Sequence, residues 1–287
     1  MKNVIITGAN SGLGFETAKK IAAFSEDFRL ILACRNKEKG EEAKKEIIEK
    51  TENQNVTVME LDTASLSSVR NFCEEWKKRD FGNIYALLCN AGISGSSTGL
   101  TEDGFDLVFQ TNHLGHFLLT NLLLPYIQED GLIFSTSSDM HDSPIKKMSW
   151  SGTEILAHPS SSFGKDSVRY SYSKLCNLYF VYELAEKLNA EGKKIRVNAF
   201  NPGLMKTNFM PLTKASIAFV TLAMPDRFGD LEKSSDAYAS LVCNETLVPK
   251  SGLYYDRSIN EKKSSPLSYN VENRKELWQK SAEYCGL

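Results

Sequence analysis

Short apolar segments alternate with amphipathic segments along the chain. The apolar segments are rich in β-branched residues and lie at 3–7, 29–34, 56–62, 84–90, 131–137, 194–203 and 252–256. Helical periodicity appears at 15–24, 37–50, 65–79, about 103–128, about 170–191, 236–244 and 271–284. Continuous apolar strands that alternate with amphipathic helices are typical of a parallel sheet buried on both faces. The pattern predicts an α/β fold with one doubly wound parallel sheet of about seven strands and helices on both faces.

No segment rich in Pro, Gly or Ser divides the chain, so we expect residues 1–287 to form a single domain. Two stretches, 139–169 and 205–233, show no regular pattern. In an open α/β sheet the ligand lies at the carboxyl ends of the strands. We therefore expect these two stretches to be loops around the mouth of a substrate site.

Composition is that of an ordinary globular protein and favours no polyanionic or membrane partner. The 287 residues are 41% hydrophobic and 24% charged, with a net charge of −2. This balance gives no electrostatic reason to expect nucleic acid as a partner. The longest apolar stretches, FLLTNLLLPYI and SIAFVTLAMP, are too short to span a bilayer. The amino terminus passes directly into a motif, so we expect a cytoplasmic protein without a targeting segment.

The cysteines and histidines do not predict a metal site. The six cysteines are scattered without a C-x-x-C pair, and we expect them to be reduced and mostly buried, Cys176 included. His113 and His116 form an H-x-x-H pair that has zinc-ligand spacing. No third ligand is suggested nearby and the pair lies in an apolar helix, so we expect no metal.

A glycine-rich turn, TGANSGLG (7–14), follows the first strand and opens the first helix. Gly8 permits a tight turn, Gly12 lets the backbone approach a pyrophosphate, and Gly14 lets the helix pack against the sheet. The helix amino terminus offers N–H groups and partial positive charge to phosphates. In this strand–turn–helix context the motif predicts a Rossmann-type dinucleotide site. The predicted cofactor contacts in the turn are Gly8, Asn10, Ser11, Gly12, Leu13 and Gly14.

The end of the second strand predicts which nicotinamide cofactor binds. An NAD site places a carboxylate about 20 residues after the glycines, where it bonds the ribose 2′-hydroxyl. Here the strand ends ACRN, with Arg35 lying 21 residues after Gly14 and no acid in that position. A guanidinium there can pair with a 2′-phosphate, so the sequence predicts NADP(H).

The segment YSYSK (170–174) offers two tyrosines ahead of one lysine. On a helix, residues four apart share a face, which pairs Tyr170 with Lys174 and turns Tyr172 away. An ammonium beside a phenol favours the phenolate and lowers a pKa that is otherwise near ~10. The spacing therefore predicts Tyr170 as a proton donor, while an ordinary helix surface remains the alternative for this motif taken alone.

Taken together, the motifs resemble those of the short-chain dehydrogenase/reductase family. They are, in chain order, TGANSGLG, CNAG (89–92), TNHLGHF (111–117), STSS (135–138), YSYSK and NPG (201–203). The resemblance covers essentially the whole chain. A finer likeness, carried by ACRNKEKGEEA, TNHLGHFLL, SKLCN and the tail KSGLYYDRSINE, is to the branch of retinol dehydrogenases and light-dependent protochlorophyllide oxidoreductases.

The resemblance implies a role for each matching residue. Tyr170 donates or accepts the proton at the reacting oxygen, and Lys174 holds the nicotinamide ribose. Ser138 orients the carbonyl, and Asn112 sustains a water-mediated proton relay. Asp62 contacts the adenine, and the remaining cofactor contacts are Asn90, Ala91, Gly92, Pro202, Gly203 and Thr207. The resemblance also implies, by analogy, a homodimer formed through the helices near 103–128 and 170–191.

The chain departs from the light-dependent enzymes at the end of the sixth predicted strand. In those enzymes the corresponding strand end reads P-G-C, and its cysteine is implied in protonation of the pigment. Here Leu204 follows Pro202 and Gly203, and Asn201 replaces an aromatic residue before the proline. A dark carbonyl/alcohol oxidoreductase is therefore the first interpretation.

Three other functions compete with the interpretation as a carbonyl/alcohol oxidoreductase. Light-driven reduction of a tetrapyrrole double bond is the first alternative, and a non-enzymatic NADPH-binding regulator is the second. The complete Asn112, Ser138, Tyr170 and Lys174 set argues against a regulator, which needs no proton path. A sugar-nucleotide epimerase is disfavoured by the glycine spacing and the short carboxyl-terminal region. Large apolar residues in the mouth segments suggest a bulky apolar small molecule as substrate, namely Trp150, Phe163, Phe209, Phe219 and Met224.

Overall fold

The computed structural model describes residues 1–94, 98–143, 147–159, 166–205 and 227–287. Its strands form one sheet in the order β3-β2-β1-β4-β5-β6-β7-β8. They are β1 (Lys2–Thr7), β2 (Phe28–Cys34), β3 (Val56–Glu60), β4 (Ile84–Cys89), β5 (Ile127–Thr136), β6 (Arg196–Asn201), β7 (Tyr254–Asp256) and β8 (Glu261–Lys262). Pairing is parallel from β3 through β7, and β8 is antiparallel to β7. The predicted doubly wound α/β fold is confirmed.

The helices in the described ranges follow the predicted order. They are α1 (Gly12–Phe24), α2 (Lys37–Thr51), α3 (Leu66–Lys78), α4 (Leu107–Phe109), α5 (Gly115–Leu123), α6 (Thr153–Ala157), α7 (Asp166–Ala190), α8 (Leu231–Cys243) and α9 (Val271–Cys285). A π-helical turn, Gln110–Leu114, joins α4 to α5. No helix in these ranges is both long and apolar enough to cross a membrane.

Several details differ from the sequence-based expectation, and one is that α6 and the start of α7 lie within the stretch 139–169, which the sequence predicts to be a loop. The sheet has an eighth strand, β8, whose two exposed residues carry no apolar signal in the sequence. The helical region expected at about 103–128 begins only at α4, because the Asp106 side chain accepts hydrogen bonds from the Val108 and Phe109 N–H groups. It ends early as well, since Pro125 lies in a short 3₁₀ turn that leads into β5 at Ile127.

Both faces of the sheet are buried, which explains why its strands are apolar without alternation. Along β1, Val4 and Ile6 pack into one core cluster, while Ile5 between them packs into the other. All three side chains are fully buried. The parallel register brings the carboxyl ends of β1, β2, β4, β5 and β6 to one edge of the sheet. Most candidate cofactor contacts that the structure describes follow a strand end, whereas Asn112 lies in the π-helical turn and Tyr170 and Lys174 lie on α7.

Helix α9 covers part of the surface that the predicted homodimer would use. The Trp278 ring packs edge-on against Phe117 of α5 at 4.9 Å and stacks on Phe180 of α7 at 6.1 Å between ring centroids. His113 Nε2 lies 2.9 Å from Ser281 Oγ of the same helix. A dimer through the faces of α5 and α7 that carry these rings would have to displace α9, so the homodimer stays a prediction.

Candidate active site

The glycine turn after β1 is shaped to accept a group that approaches the backbone closely. Gly8 and Gly12 have positive φ angles of 66° and 56°, which favour glycine. A Cβ on Gly14 would lie 2.5 Å from Asn90 Nδ2 and 2.6 Å from the Gly8 carbonyl oxygen. The Ser11 side chain makes no capping hydrogen bond at α1, and the first turn holds no acidic residue. The N–H groups and partial positive charge at this helix end therefore suit a phosphate.

Thr7, the last residue of β1, ties the glycine turn to the neighbouring strand. Its hydroxyl oxygen accepts hydrogen bonds from the Asn90 and Ala91 N–H groups, both at 2.8 Å. The Asn90 side chain in turn donates to the Thr7 carbonyl at 2.9 Å. Thr7 is fully buried, so these bonds fix the segment after β4 against the turn after β1.

His116 extends this network to the predicted proton relay. Its Nε2 lies 2.9 Å from the Thr7 hydroxyl, and its Nδ1 lies 3.3 Å from the Asn112 carbonyl. The two N–H donors fill the lone pairs of the Thr7 oxygen, so the hydroxyl proton points to Nε2 or to the Leu88 carbonyl, which is farther away at 3.3 Å. The shorter distance favours donation from the Thr7 hydroxyl to Nε2. Because Nε2 then accepts a hydrogen bond, Nδ1 is the ring nitrogen that carries the proton. Burial lowers the pKa of His116 to about 4, so the ring is neutral at pH 7.

The ends of β2 and β3 lie beside the glycine turn. Arg35 follows β2 directly and is exposed, in reach of a ligand bound at this edge. Burial raises the pKa of the neighbouring Cys34 thiol to about 11, despite hydrogen bonds with the Ala9 and Asn10 backbone. Asp62 is half-buried after β3, and its carboxylate accepts the Ala64 N–H at 2.9 Å. This hydrogen bond stabilises the turn that follows Asp62.

Asn112 lies in the π-helical turn, a feature that is frequent at functional sites. Its side-chain oxygen accepts the Ile93 N–H at 2.8 Å, and its amide donates to the Ile93 carbonyl at 3.0 Å and to Ser173 Oγ at 2.9 Å. A Cβ on Gly92 would lie 3.1 Å from the Asn112 side-chain oxygen. The side chain therefore holds the segment after β4 against α7.

Lys174 is buried at the carboxyl end of β5. Its Nζ donates to the Thr136 carbonyl at 2.9 Å and lies 5.5 Å from the centre of the Tyr170 ring. Asn177 Nδ2 donates to the same carbonyl at 3.0 Å, and the Ser137 hydroxyl donates to the Lys174 carbonyl at 3.0 Å. Lys174 is 3% exposed, and burial lowers its pKa to about 8. The helix is thus held against β5 by three side chains.

The Ser138 side chain lies close enough to the Tyr170 hydroxyl to influence its pKa. Burial raises the pKa of Tyr170 to about 12, and the Ser138 side chain opposes this rise only in part. The expected lowering of the Tyr170 pKa by Lys174 is therefore wrong for the chain without a ligand. The physical reason is that the ammonium faces the Thr136 carbonyl and the phenol is desolvated.

Tyr172 points away from this group. Its hydroxyl donates to the Ser149 carbonyl at 2.5 Å and accepts from the Ser151 hydroxyl at 3.0 Å. It is 6% exposed and belongs to the core. Cys176 on the same helix is fully buried in that core. All six cysteines lie in the described ranges, and none forms a disulfide.

The strand end after β6 carries Pro202 and Gly203. Gly203 has a φ of 75°, and a Cβ there would lie 2.6 Å from Arg257 Cδ. Leu204 forms a short parallel bridge with Phe228, with hydrogen bonds to Arg227 and Gly229. Thr207, which is predicted to contact the cofactor, lies outside the described residues.

The mouth segments are described only in part. Phe163, Phe209, Phe219 and Met224 lie outside the described residues. Trp150 is described, and its assignment to the mouth is wrong. Its indole N–H donates to Glu276 of α9, and its ring packs edge-on against Tyr179 at 5.1 Å. Trp150 therefore fastens a loop to the core.

The H-x-x-H pair is used in hydrogen bonding. His113 bonds Ser281 and His116 bonds Thr7, so the two rings have different partners. Burial lowers the pKa of His113 to about 3. Among the residues described, no three His, Cys, Asp or Glu side chains are grouped as a metal site would need.

Several functional residues were missed by sequence analysis. They are the polar side chains that hold the candidate catalytic group in place, namely Thr7, His116, Ser137, Ser173 and Asn177. The sequence does draw attention to these positions, because each lies within or beside one of the motifs given above. Their partners could not be predicted, since these depend on which strand ends become neighbours.

Comparison with known proteins agrees with this geometry. A family model described as short chain dehydrogenase matches residues 2–150. Human retinol dehydrogenase 13 is 34% identical across the whole chain, which covers 85% of that protein. Chicken WW domain-containing oxidoreductase is 42% identical over 71% of the chain, which spans about half (49%) of that protein's length. The crystal structure of an uncharacterized protein from Mycobacterium paratuberculosis is 30% identical, with a TM-score of 0.72 over 100% of this chain and 94% of that one.

This likeness in sequence extends over the whole chain, and the likeness in fold includes the strand ends that carry the site. The chain belongs to the short-chain dehydrogenase family, in its retinol dehydrogenase-like branch.

Proposed function

We propose that the protein is an NADP-dependent oxidoreductase that reduces the carbonyl of a bulky apolar substrate or oxidises the corresponding alcohol. The observation that carries the proposal is the convergence of Ser138, Tyr170 and Lys174 at the carboxyl end of β5. The Ser138 side chain lies close enough to Tyr170 to influence its pKa, and the Lys174 ammonium lies 5.5 Å from the centre of the Tyr170 ring. Family membership supports a nicotinamide cofactor and a small-molecule substrate.

The residues of this chain supply orientation and a proton. When bound, the nicotinamide cofactor supplies the hydride. Ser138 donates a hydrogen bond to the substrate oxygen and holds it next to the Tyr170 hydroxyl. Tyr170 donates its proton to that oxygen as negative charge develops there. The raised pKa of Tyr170 keeps the phenol protonated at neutral pH, which suits the reducing direction.

The glycine turn and Arg35 form the proposed NADPH site. The open backbone at Gly8, Gly12 and Gly14 suits the pyrophosphate, and the Lys174 ammonium suits a ribose hydroxyl. Asp62, Asn90, Ala91 and Gly92 would line the adenosine half. Pro202, Gly203 and Thr207 would hold the nicotinamide, and Asn112 would sustain the relay.

Replacement of Arg35 by Asp should invert the cofactor preference. The guanidinium suits a 2′-phosphate, whereas a carboxylate at the same strand end repels that phosphate and bonds a free 2′-hydroxyl. We expect NADPH affinity to fall by about 10- to 100-fold and NADH affinity to rise relative to it. Fluorescence titration of both cofactors measures this. Equal affinity of the unchanged protein for the two cofactors would contradict the proposal.

An apolar substrate is supported by the names of several relatives, which include retinol dehydrogenases 12, 13 and 14. Leu204, whose side chain offers no proton to a pigment, argues against the light-driven alternative. The likeness to light-dependent enzymes, the single-domain boundary and the cytoplasmic location stay predictions. A regulator without catalysis is disfavoured by the complete set of Asn112, Ser138, Tyr170 and Lys174, since a regulator needs no proton path.

A substrate panel tests the proposed activity. We expect NADPH-dependent reduction of apolar aldehydes and ketones in darkness, at a rate that illumination leaves unchanged. The measurement is loss of reduced-nicotinamide absorbance, in parallel dark and lit samples, with retinal, small polar carbonyls and protochlorophyllide. Chlorophyllide formed only in the lit sample, with no carbonyl reduced, would reverse the assignment in favour of light-driven reduction.

A further inference from the structure

Asn201, the last residue of β6, is fully buried and has every amide hydrogen engaged. Its Nδ2 donates to Asp139 Oδ1 at 2.8 Å and to Asp256 Oδ1 at 2.7 Å. Its side-chain oxygen accepts the Gly203 N–H at 2.9 Å. An amide is suited to this place because it offers two donors to two carboxylates and one acceptor to an N–H group.

Arg257 completes the group from the other side. Its guanidinium donates to Asp139 Oδ2 at 3.0 Å and to Asp256 Oδ2 at 2.7 Å. Its main-chain N–H donates to the Asn201 carbonyl at 2.7 Å. Arg257 has a φ of 56°, an unfavourable value for this residue type that surrounding contacts must hold in place. We call Asp139, Asn201, Asp256 and Arg257 the strand-end cluster.

Cations balance the two carboxylates of the cluster. Burial alone would raise the pKa of Asp256, but hydrogen bonds and charge from Lys262 and Arg257 outweigh this effect and lower it. Lys262 Nζ lies 2.8 Å from Asp256 Oδ2. The Arg227 guanidinium donates to the Asp139 main-chain oxygen at 3.0 Å. Each carboxylate of the cluster therefore accepts a hydrogen bond from at least one cationic side chain.

The cluster joins two segments that the proposed reaction needs at a fixed separation. Asp139 directly follows Ser138, which would hold the substrate oxygen. Asn201 directly precedes Pro202 and bonds Gly203, the segment that would hold the nicotinamide. A Cβ on Gly203 would meet Arg257 Cδ at 2.6 Å, so the arginine also presses against the strand end.

The turn that holds Ser138 is fastened a second time. His141 Nε2 accepts the Ser265 N–H at 2.9 Å, so its Nδ1 carries the proton and donates to the Ser138 carbonyl at 2.6 Å. Both ends of this short turn are held by hydrogen bonds. We therefore expect a change at Asp139 to displace Ser138.

We infer that Asp139, Asn201 and Arg257 are positioning residues, which set the distance between the Ser138 hydroxyl and the Pro202–Gly203 segment. The inference rests on the proposed function, because that distance separates the reacting carbonyl from the hydride donor. Reaction rates are sensitive to small displacements of the reacting groups, whereas binding of the substrate depends much less on that distance. The cluster should therefore affect turnover more than substrate binding.

The test uses Asp139→Asn, Asn201→Asp and Arg257→Met in the full chain. Asp139→Asn keeps the shape but removes the charge, and Asn201→Asp places a third carboxylate between two others. We expect kcat to fall by about 10- to 100-fold, with a much smaller change in KM. The primary isotope effect with deuterated NADPH should increase as hydride transfer becomes slower. The fluorescence anisotropy of bound NADPH should decrease as the nicotinamide is held less firmly.

Arg274→Met is the matched control. Arg274 is another half-buried arginine that forms ion pairs with Glu183 at 3.0 Å and with Glu186, and these pairs join α9 to α7 away from the strand ends. Its side chain is 11% exposed and that of Arg257 is 19% exposed. We expect Arg274→Met to lower Tm while kcat, the isotope effect and the anisotropy stay at their original values.

The outcomes separate the inference from the proposed function. The unchanged protein must reduce a carbonyl and Tyr170→Phe must not, or the proposed function fails and the inference falls with it. If that condition holds and the cluster variants lower Tm as Arg274→Met does, with kcat and isotope effect unchanged, the cluster is structural and the inference is overturned. If Asn201→Asp fails to fold, Asp139→Asn decides between these outcomes.

Discussion

Replacement of Tyr170 by Phe is expected to reduce kcat by about 100- to 10,000-fold and to leave NADPH affinity nearly unchanged. The change removes one oxygen and keeps the ring that packs beside Lys174 at 5.5 Å. Without the phenol, Ser138 can still bond the substrate oxygen but cannot protonate it fast enough. Stopped-flow measurement of NADPH oxidation, together with fluorescence titration of the cofactor, separates the two effects.

Tyr172→Phe is the matched control for this prediction. It removes the same atom from the same helix, but at a hydroxyl that bonds Ser149 and Ser151 of the segment before α6. We expect a loss of stability of about 1 kcal/mol for the lost hydrogen bonds and no change in kcat. If Tyr172→Phe proved the more damaging variant, the assignment of the proton donor would be wrong.

Most of the fold could be predicted because its signals are local. Strands such as NVIIT and IYALLCN are apolar throughout, which is the pattern of a sheet buried on both faces. The glycine turn was recognisable because the positive φ angles at Gly8 and Gly12 favour that residue type. The four candidate catalytic residues were recognisable through motifs of a few residues each.

The parts that could not be predicted depend on contacts between distant segments. Nothing in the sequence indicates that Asn201 would bond Asp139, 62 residues earlier in the chain. The raised pKa of Tyr170 depends on burial, which the spacing to Lys174 does not reveal. His113 and His116 have ligand spacing, yet each faces a hydroxyl from a different element. Helix spacing says which residues share a face, but tertiary packing decides what that face meets.

Lys174→Met is expected to abolish most turnover and weaken NADPH binding, while making the folded protein more stable. The ammonium lies 5.5 Å from the centre of the Tyr170 ring, and the proposed site uses it to bond the ribose. Its removal should therefore lower kcat/KM by about 100-fold or more. The Thr136 carbonyl is left satisfied, since Asn177 Nδ2 still donates to it at 3.0 Å. The change therefore leaves the one described acceptor of the Lys174 ammonium with a donor.

The gain in stability follows from the lowered pKa of Lys174, which burial brings from 10.5 to about 8. Below pH 8 the folded chain holds an ammonium that burial disfavours, and methionine removes that penalty, on the order of 2–3 kcal/mol at pH 7. Between pH 8 and 10.5 the unfolded chain binds more protons at this residue than the folded chain does. The unchanged protein therefore gains stability with rising pH there, and the advantage of the variant must shrink. Denaturant unfolding of both proteins at pH 7 and pH 10 measures this difference, and a variant less stable than the parent at pH 7 would show that Lys174 supports the fold.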